Sequence, residues 1–394
     1  MTFAHKITAL VCAWYFMAST PMPAQNVKIG LFNEINTKAV VFSVAAGSYL
    51  LTADNKAVFT LRPLDNIFVE TLNDSLVCYT AAHQILGRFR TIELRAMTDS
   101  SWFGLRVLPH NKFAYYDDNL WLSYNLGKLQ TINYVDFDKY VAAVVEAEGG
   151  YRASIEYYKT QAILCRTYAI AHLDRHQEEN FALCDATHCQ AYKGKVKTAS
   201  IIQAAKATHN EVVVDEDSVL IIAAFHSNCG GITENAENVW LIKKPYLQSL
   251  RDPYCAQGKN AKWEFKVSIE KWKNYLTENG FHLDKDISPT TFNFLQINRR
   301  KFYRIGNDSI SFQKIRNDFK LKSAFFSIET KDGMVYFQGR GYGHGVGLCQ
   351  EGAMQMAVLG YSYREILQFY YPRTLIIDFN KLNNLKNPQI NQLK

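Results

Sequence analysis

From Val27 to Leu108 the apolar residues come in short runs: Val27–Leu31, Val40–Val44, Val58–Leu61, Ile67–Leu72, Arg90–Ala96 and Gly104–Leu108. Glycine, proline and Asn/Asp clusters divide them. Runs of that length between turn residues predict strands rather than long helices. Residues 25–94 therefore read as a β-rich N-terminal region. It shows no catalytic constellation, which leaves it a scaffolding or binding role.

The pattern changes after Tyr134. Tyr140, Val141, Val144 and Val145 fall at helical spacing behind Asp136, an N-cap residue, and the helix should stop at Gly149-Gly150. Ser154 can cap a second helix on which Ile155, Tyr158, Ala162, Cys165 and Ala169 form one apolar stripe. Glu211–Asp215 and Val219–Phe225 predict a hairpin turning at Asp217-Ser218, and Met334–Gln338 predicts another strand. Glycine then takes every second position from Gly339 to Gly347, a sign of close backbone approach and not the GxGxxG of dinucleotide folds. Helices are expected over Gln350–Leu359 and from Tyr363 to before Pro372, and residues 380–394 read as a polar tail. The fold class is α+β, the β-rich region being followed by a mixed α/β unit over residues 95–379.

Composition narrows the setting. Lys6, an apolar run from Ile7 to Ala18 and small residues up to Ala24 have the layout of a secretory signal, so residues 1–24 are expected to be removed on export. The run is shorter than the roughly 20 residues that span a bilayer, and no later segment is long and apolar enough to do so. The formal charge of +7 falls to about +6 without Lys6. That mild bias suits an anionic wall, and no basic, aromatic-interleaved track suggests nucleic acid. Of eight cysteines, seven lie beyond the leader, an odd number that leaves at least one thiol unpaired or bound to metal.

Three groups could carry chemistry. Glu148, with Glu146 as its competitor, stands where an apolar helix meets a Gly-Gly turn, a place that can hold a carboxyl at the rim of a cleft with the raised pKa of a general acid. His226 and His344 lie at glycine-rich strand ends. Cys184, His188 and Cys189 form a C-x3-H-C cluster with His172 and His176 upstream; His176 as fourth ligand would close a tetrahedral zinc site, and a Cys184–Cys189 disulfide is the alternative. Thiolate-rich ligation favours a structural over a hydrolytic zinc. A Cys229/His226 nucleophile pair is disfavoured, since residues three apart on an extended segment point to opposite faces.

Ordered blocks give the sequence a family resemblance: Tyr140-Val-Ala-Ala-Val-Val-Glu-Ala-Glu148, Lys159-Thr-Gln-Ala-Ile-Leu-Cys-Arg-Thr-Tyr-Ala169, Cys184-Asp-Ala-Thr-His-Cys-Gln-Ala-Tyr192 and Phe225-His-Ser-Asn-Cys-Gly-Gly-Ile-Thr-Glu234. Val239-Trp240, Pro245-Tyr246-Leu247, Asp252-Pro253, Gly341-Tyr-Gly-His-Gly-Val-Gly-Leu-Cys-Gln-Glu-Gly352 and Tyr370-Tyr-Pro372 continue it. Together they resemble the SpoIID/LytB family of stage II sporulation protein D and amidase enhancers. The resemblance implies a lytic transglycosylase acting on peptidoglycan glycan strands, with those strands and a cell-wall amidase as partners. The rival it implies is a non-catalytic enhancer of such an amidase. The family's catalytic glutamate follows the Tyr-Val-x-x-Val-Val block after two residues, which is Glu148; Gly149-Gly150 stands where Met-Pro is usual, and Cys349 where serine is common. Glu148 would protonate the glycosidic oxygen and then deprotonate the C6 hydroxyl that closes a 1,6-anhydro ring, with no second carboxylate. Arg166, Tyr168, His226, Ser227, Tyr342, His344 and Gln350 are the expected cleft residues. No cofactor is needed for the chemistry.

Overall fold

The computed structural model describes residues 26–125 and 127–385. The expected leader and residues 386–394 of the tail lie outside them. Twelve strands come first: β1 (Asn26–Leu31), β2 (Ala39–Ala46), β3 (Tyr49–Ala53), β4 (Lys56–Leu61), β5 (Asn66–Leu72), β6 (Ser75–Thr80), β7 (Ile85–Phe89), β8 (Thr91–Ala96), β9 (Trp102–Val107), β10 (Ala114–Asp117), β11 (Asn119–Asn125) and β12 (Lys128–Asp136). Every predicted run of the N-terminal region is among them. They form two sheets, ordered β4-β3-β8-β11-β12-β1 and β10-β9-β2-β5-β6-β7. The inward residues share one core, in which Phe42 of the second sheet lies 5.2 Å from the Tyr49 ring of the first.

β12 runs directly into α1 (Phe137–Gly149), where the Asp136 carboxylate accepts from the Lys139 N–H at 3.0 Å as predicted for the cap. Tyr140, Val141, Val144 and Val145 are fully buried, each worth about 1.5–3 kcal/mol of transfer free energy. α2 (Ile155–Ile170) is capped by Ser154. It does not show the single stripe predicted: Tyr157, Gln161, Leu164 and Arg166 are buried along with Tyr158, Ala162 and Cys165. The helix passes through the interior and is covered on nearly every side.

β13 (Leu183–Cys184) adds to β1 in parallel, and α3 (Ala199–Ala207) packs on α1 and α2. β14 (Glu211–Val214) turns at Asp215–Val219, yet the second arm of the predicted hairpin meets it only at Leu220. On the other edge of β14 the C-terminal strand, Leu375–Asp378, pairs antiparallel along its length. Next come β15 (Phe225–His226) and α4 (Ala236–Val239).

β16 (Lys262–Ser268), α5 (Ile269–Glu278), β17 (Phe302–Ile305), β18 (Asp308–Ser311), α6 (Phe312–Asp318), β19 (Phe326–Lys331) and β20 (Met334–Arg340) follow. They gather a second core of their own around Trp272, whose ring lies 5.3 Å from Phe337. The chain returns through β21 (Leu348–Cys349), α7 (Gln350–Val358), α8 (Tyr363–Tyr370) and β22 (Leu375–Asp378). The polar tail begins anchored, because Leu382 is buried. Among the described residues no helix is long and apolar enough to cross a membrane.

Candidate active site

α1 ends where the sequence says it should. Gly150 holds φ at 72°, a conformation that a side chain would strain, and its N–H reaches back to the Glu146 carbonyl at 3.2 Å. The two glutamates before it have different fates. Glu146 Oε1 accepts from the Thr198 N–H at 2.9 Å and its hydroxyl at 2.6 Å, and the Lys197 N–H lies 3.2 Å from both oxygens. It caps the N-terminus of α3. Glu148 is half-buried and accepts one bond, from the Ala191 N–H to Oε1 at 3.1 Å. Among the described residues its Oε2 takes no hydrogen bond.

Three neighbours shape this position. Gln350, the first residue of α7, donates from Nε2 to the Glu148 carbonyl at 3.1 Å and so fixes the end of α1. The Cys165 thiol is buried below, and that burial first and the Glu148 charge second push its pKa far up, which keeps it a neutral thiol. Gln190 adjoins it; its Oε1 takes the Tyr140 hydroxyl at 3.3 Å, while its Nε2 is buried without a partner among the described residues.

Gln350 also joins Glu148 to the histidines. β15 and β21 pair in parallel, with Phe225 opposite Leu348 and His226 opposite Cys349. The glycine run makes that approach possible. It is not an extended strand, for Gly341 and Gly343 hold φ at 79° and 112°, and a Cβ would lie 2.5 Å from the Asn228 carbonyl oxygen and 2.8 Å from His226 Cβ respectively.

His344 accepts from the Val346 N–H at Nδ1 (3.0 Å) and donates from Nε2 to the Phe225 carbonyl (2.9 Å), a fully used neutral imidazole. Burial lowers its pKa to about 4. His226 donates from Nδ1 to the Val346 carbonyl at 3.1 Å, and its buried Nε2 lone pair has no partner among the described residues. Burial, with His344 beside it, holds this ring neutral too. The rings stand 5.4 Å apart, and Trp240 lies over His344 at 5.0 Å with its indole partly in solvent. Trp240 was not singled out from sequence as a site residue; its place in the Val239-Trp240 block was the available signal.

The other expected cleft residues divide. Tyr342 is 45% exposed and bridges by its backbone to Asn228, and Ser227 is half-buried with its carbonyl holding the Glu351 N–H. Tyr168 is half-buried, stacked on His172 at 4.2 Å, with the Arg175 guanidinium donating to its hydroxyl at 2.7 Å. Arg166 is a correction. It is 0% exposed, and its guanidinium donates to Asp138 Oδ1 (2.9 Å) and the carbonyls of Glu211 and Ala205 (each 3.1 Å), so it ties α1, α3 and β14 together and lines no cleft. Cys229 is hydrogen-bonded to Asp252, not to His226.

The zinc candidates do converge. The ligand atoms of His176, Cys184, His188 and Cys189 all lie within 4.8 Å of one another. His176 Nε2 is 3.4 Å from Cys189 Sγ, and His188 Nδ1 is 3.8 and 3.7 Å from the two sulfurs. The Glu179 carboxylate takes the Nδ1–H of His176 at 2.6 Å, which turns Nε2 toward the sulfurs, as outer-sphere carboxylates do for metal-binding histidines. All seven described cysteines are free thiols.

Residues 125–214, which carry Glu148, α2 and this cluster, match the stage II sporulation protein (SpoIID) family profile. An uncharacterized protein of Brachyspira hyodysenteriae is 32% identical over 286 residues, 71% of this chain and 77% of its own. This chain belongs to the SpoIID/LytB family. Stage II sporulation protein D of Bacillus subtilis is 26% identical over 65% of this SpoIID/LytB chain and 78% of its own length. The amidase enhancer of Bacillus subtilis is 25% identical over 57% of this chain, and the match covers only 38% of the enhancer.

Proposed function

We propose that this SpoIID/LytB protein is an exported lytic transglycosylase that cleaves peptidoglycan glycan strands, with Glu148 as its single acid and base. The observation that carries the reading is the division of labour at the end of α1: Glu146 is consumed as a cap, while Glu148 is held by one backbone N–H and keeps an oxygen with no partner among the described residues. A protonated Glu148 gives its proton to the glycosidic oxygen that leaves N-acetylmuramic acid. The resulting carboxylate takes the proton of the C6 hydroxyl, whose oxygen closes on C1 as the 1,6-anhydro ring. Proton count balances over the cycle without water or a second carboxylate. Trp240 offers an aromatic face to a sugar ring and Tyr342 an exposed hydroxyl, while Gln350 positions the helix end. His176, Cys184, His188 and Cys189 hold a structural zinc, since two thiolates and two imidazoles fill a tetrahedron and leave no place for a reacting water.

The test is mass spectrometry of products from peptide-free glycan strands. Wild type should release fragments ending in 1,6-anhydro-N-acetylmuramic acid, and Glu148→Gln should lose about 10²–10⁴-fold in rate with its fold intact. Reducing ends that carry added water would make the protein a hydrolase. Unchanged turnover in Glu148→Gln would remove the assignment. The relative named amidase enhancer supports a second reading, an amidase as partner; full stimulation of a cell-wall amidase by Glu148→Gln, with no glycan cleavage by wild type, would favour it.

A further inference from the structure

A second cluster lies beside β21 and the loop after β15. Cys229 in the loop after β15, Asp252 and Cys255 in one tight turn, and Cys349 at the end of β21 place their ligand atoms within 4.8 Å of one another, all buried. Cys229 Sγ is 3.4 Å from Cys255 Sγ and 3.2 Å from Asp252 Oδ2. Ligands of a tetrahedral zinc with Zn–S bonds near 2.3 Å sit about 3.7 Å apart, so the spacing is close to what such an ion requires.

The surroundings are those of anionic ligands. The Cys229 N–H points at Cys349 Sγ and the Gly231 N–H at Cys255 Sγ, each at 3.2 Å. Asp252 is held from outside: Oδ2 accepts the Tyr370 hydroxyl at 2.9 Å, and Oδ1 accepts the N–H groups of Tyr254 and Cys255 at 2.9 and 3.3 Å. Yet among the described residues this buried carboxylate forms an ion pair with no lysine, arginine or histidine. A buried carboxylate is expensive unless a cation meets it. Arg299 donates to the Cys229 carbonyl at 2.7 Å and lies 3.8 Å from Glu234, so it is not a partner of Asp252.

We propose that Cys229, Asp252, Cys255 and Cys349 form a closed structural site for one zinc ion. Binding releases the thiol protons and gives three thiolates and a carboxylate around the metal. Four protein ligands leave no open position, so the ion does no chemistry on substrate. Its effect is positional. It fastens the loop after His226 and the Asp252 turn to the strand that leads into Gln350, the residue seated on the Glu148 carbonyl. A disulfide between Cys229 and Cys255 is the competing state of the same atoms and excludes the ion.

Zinc and free thiols are measured on full-length protein purified without added metal. Cys184→Ser/Cys189→Ser should keep one zinc that Cys255→Ser/Cys349→Ser, in the same background, loses. Cobalt replacing that ion should give the near-ultraviolet thiolate-to-metal bands and the visible pattern of a tetrahedral site. Equal zinc in the two backgrounds, or peptides joined by a Cys229–Cys255 disulfide, overturns the proposal. Should the substituted chains fail to fold, native mass spectrometry of the wild type decides. Two ions are expected, one of them at the Cys184 cluster, and one or none overturns it.

Discussion

Acid should weaken this protein through His344, by an amount that its surroundings set. Burial lowers its pKa to about 4, the Phe225 carbonyl opposes the shift, and Arg316 and Arg299 add to it. Geometry gives the same sign, because Nδ1 already accepts the Val346 N–H and cannot take a proton without losing that bond. In the unfolded chain an imidazole titrates near about 6.5. Between that pH and about 4 the unfolded state holds the extra proton, so the stability present above pH 6.5 drains away as pH falls and levels off below pH 4. For His344 the loss is about 2 kcal/mol at pH 5 and about 3 kcal/mol below pH 4. His226, also held neutral by burial, adds in the same direction. His344→Asn keeps an acceptor and a donor but does not titrate. Urea unfolding at pH 7 and pH 5 should therefore show wild type losing about 2 kcal/mol more than the variant across that interval. Equal losses would refute the reasoning, as would an NMR titration that placed the folded His344 near 6.5.

Arg166→Met should cost about 1.5–3 kcal/mol, read as a fall in thermal midpoint, since it takes the buried guanidinium away from Asp138, which keeps His209, and from the carbonyls of Glu211 and Ala205. Glu146→Gln should cost about 1 kcal/mol through a weaker α3 cap and leave glycan cleavage nearly unchanged; a loss as deep as that of Glu148→Gln would contradict the division of the two carboxylates. Gly341→Ala forces a side chain into a left-handed turn against the Asn228 carbonyl, so it should cost about 1–3 kcal/mol and disturb the near-ultraviolet circular dichroism from the Trp240 region.

Strands, caps and helix ends were legible because each is written in a few neighbouring residues. Short apolar runs between turn residues marked β2 and β5, Asp136 and Ser154 opened their helices, and Gly150 closed α1. What stayed hidden depends on distant partners. Val219–Phe225 has strand composition but meets β14 through a single bridge at Leu220, while the continuous ladder, on the other edge of β14, comes from Leu375–Asp378, some 160 residues on, which local pattern cannot express. Arg166 looks like a cleft residue by type, and only the carbonyls of Ala205 and Glu211 around it reveal a core brace. Likewise Glu146 and Glu148 are two residues apart on one helix, and what separates them is Thr198, brought up from the start of another. The four zinc candidates near Cys184 were readable because they sit within fourteen residues of one another. Cys229, Asp252, Cys255 and Cys349 were not, since Cys349 comes from far along the chain.

The unit built on Trp272 is entered and left through facing residues, for Lys262 at the start of β16 is the partner of Arg340 at the end of β20. To the rest of the molecule it behaves like a branch grafted at one node: its length can change in descent without moving the two ends of the parent chain apart. Fastenings beyond that node limit the freedom, the Gly343 N–H to the Lys322 carbonyl at 2.9 Å being one. Arg299, from inside the branch, reaches out to the carbonyls of Cys229 and Ile232, each at 2.7 Å. Relatives that trim or enlarge this part of the chain should therefore keep an arginine at that place or show a rebuilt loop behind His226, a pattern of inheritance that comparison of their sequences can check.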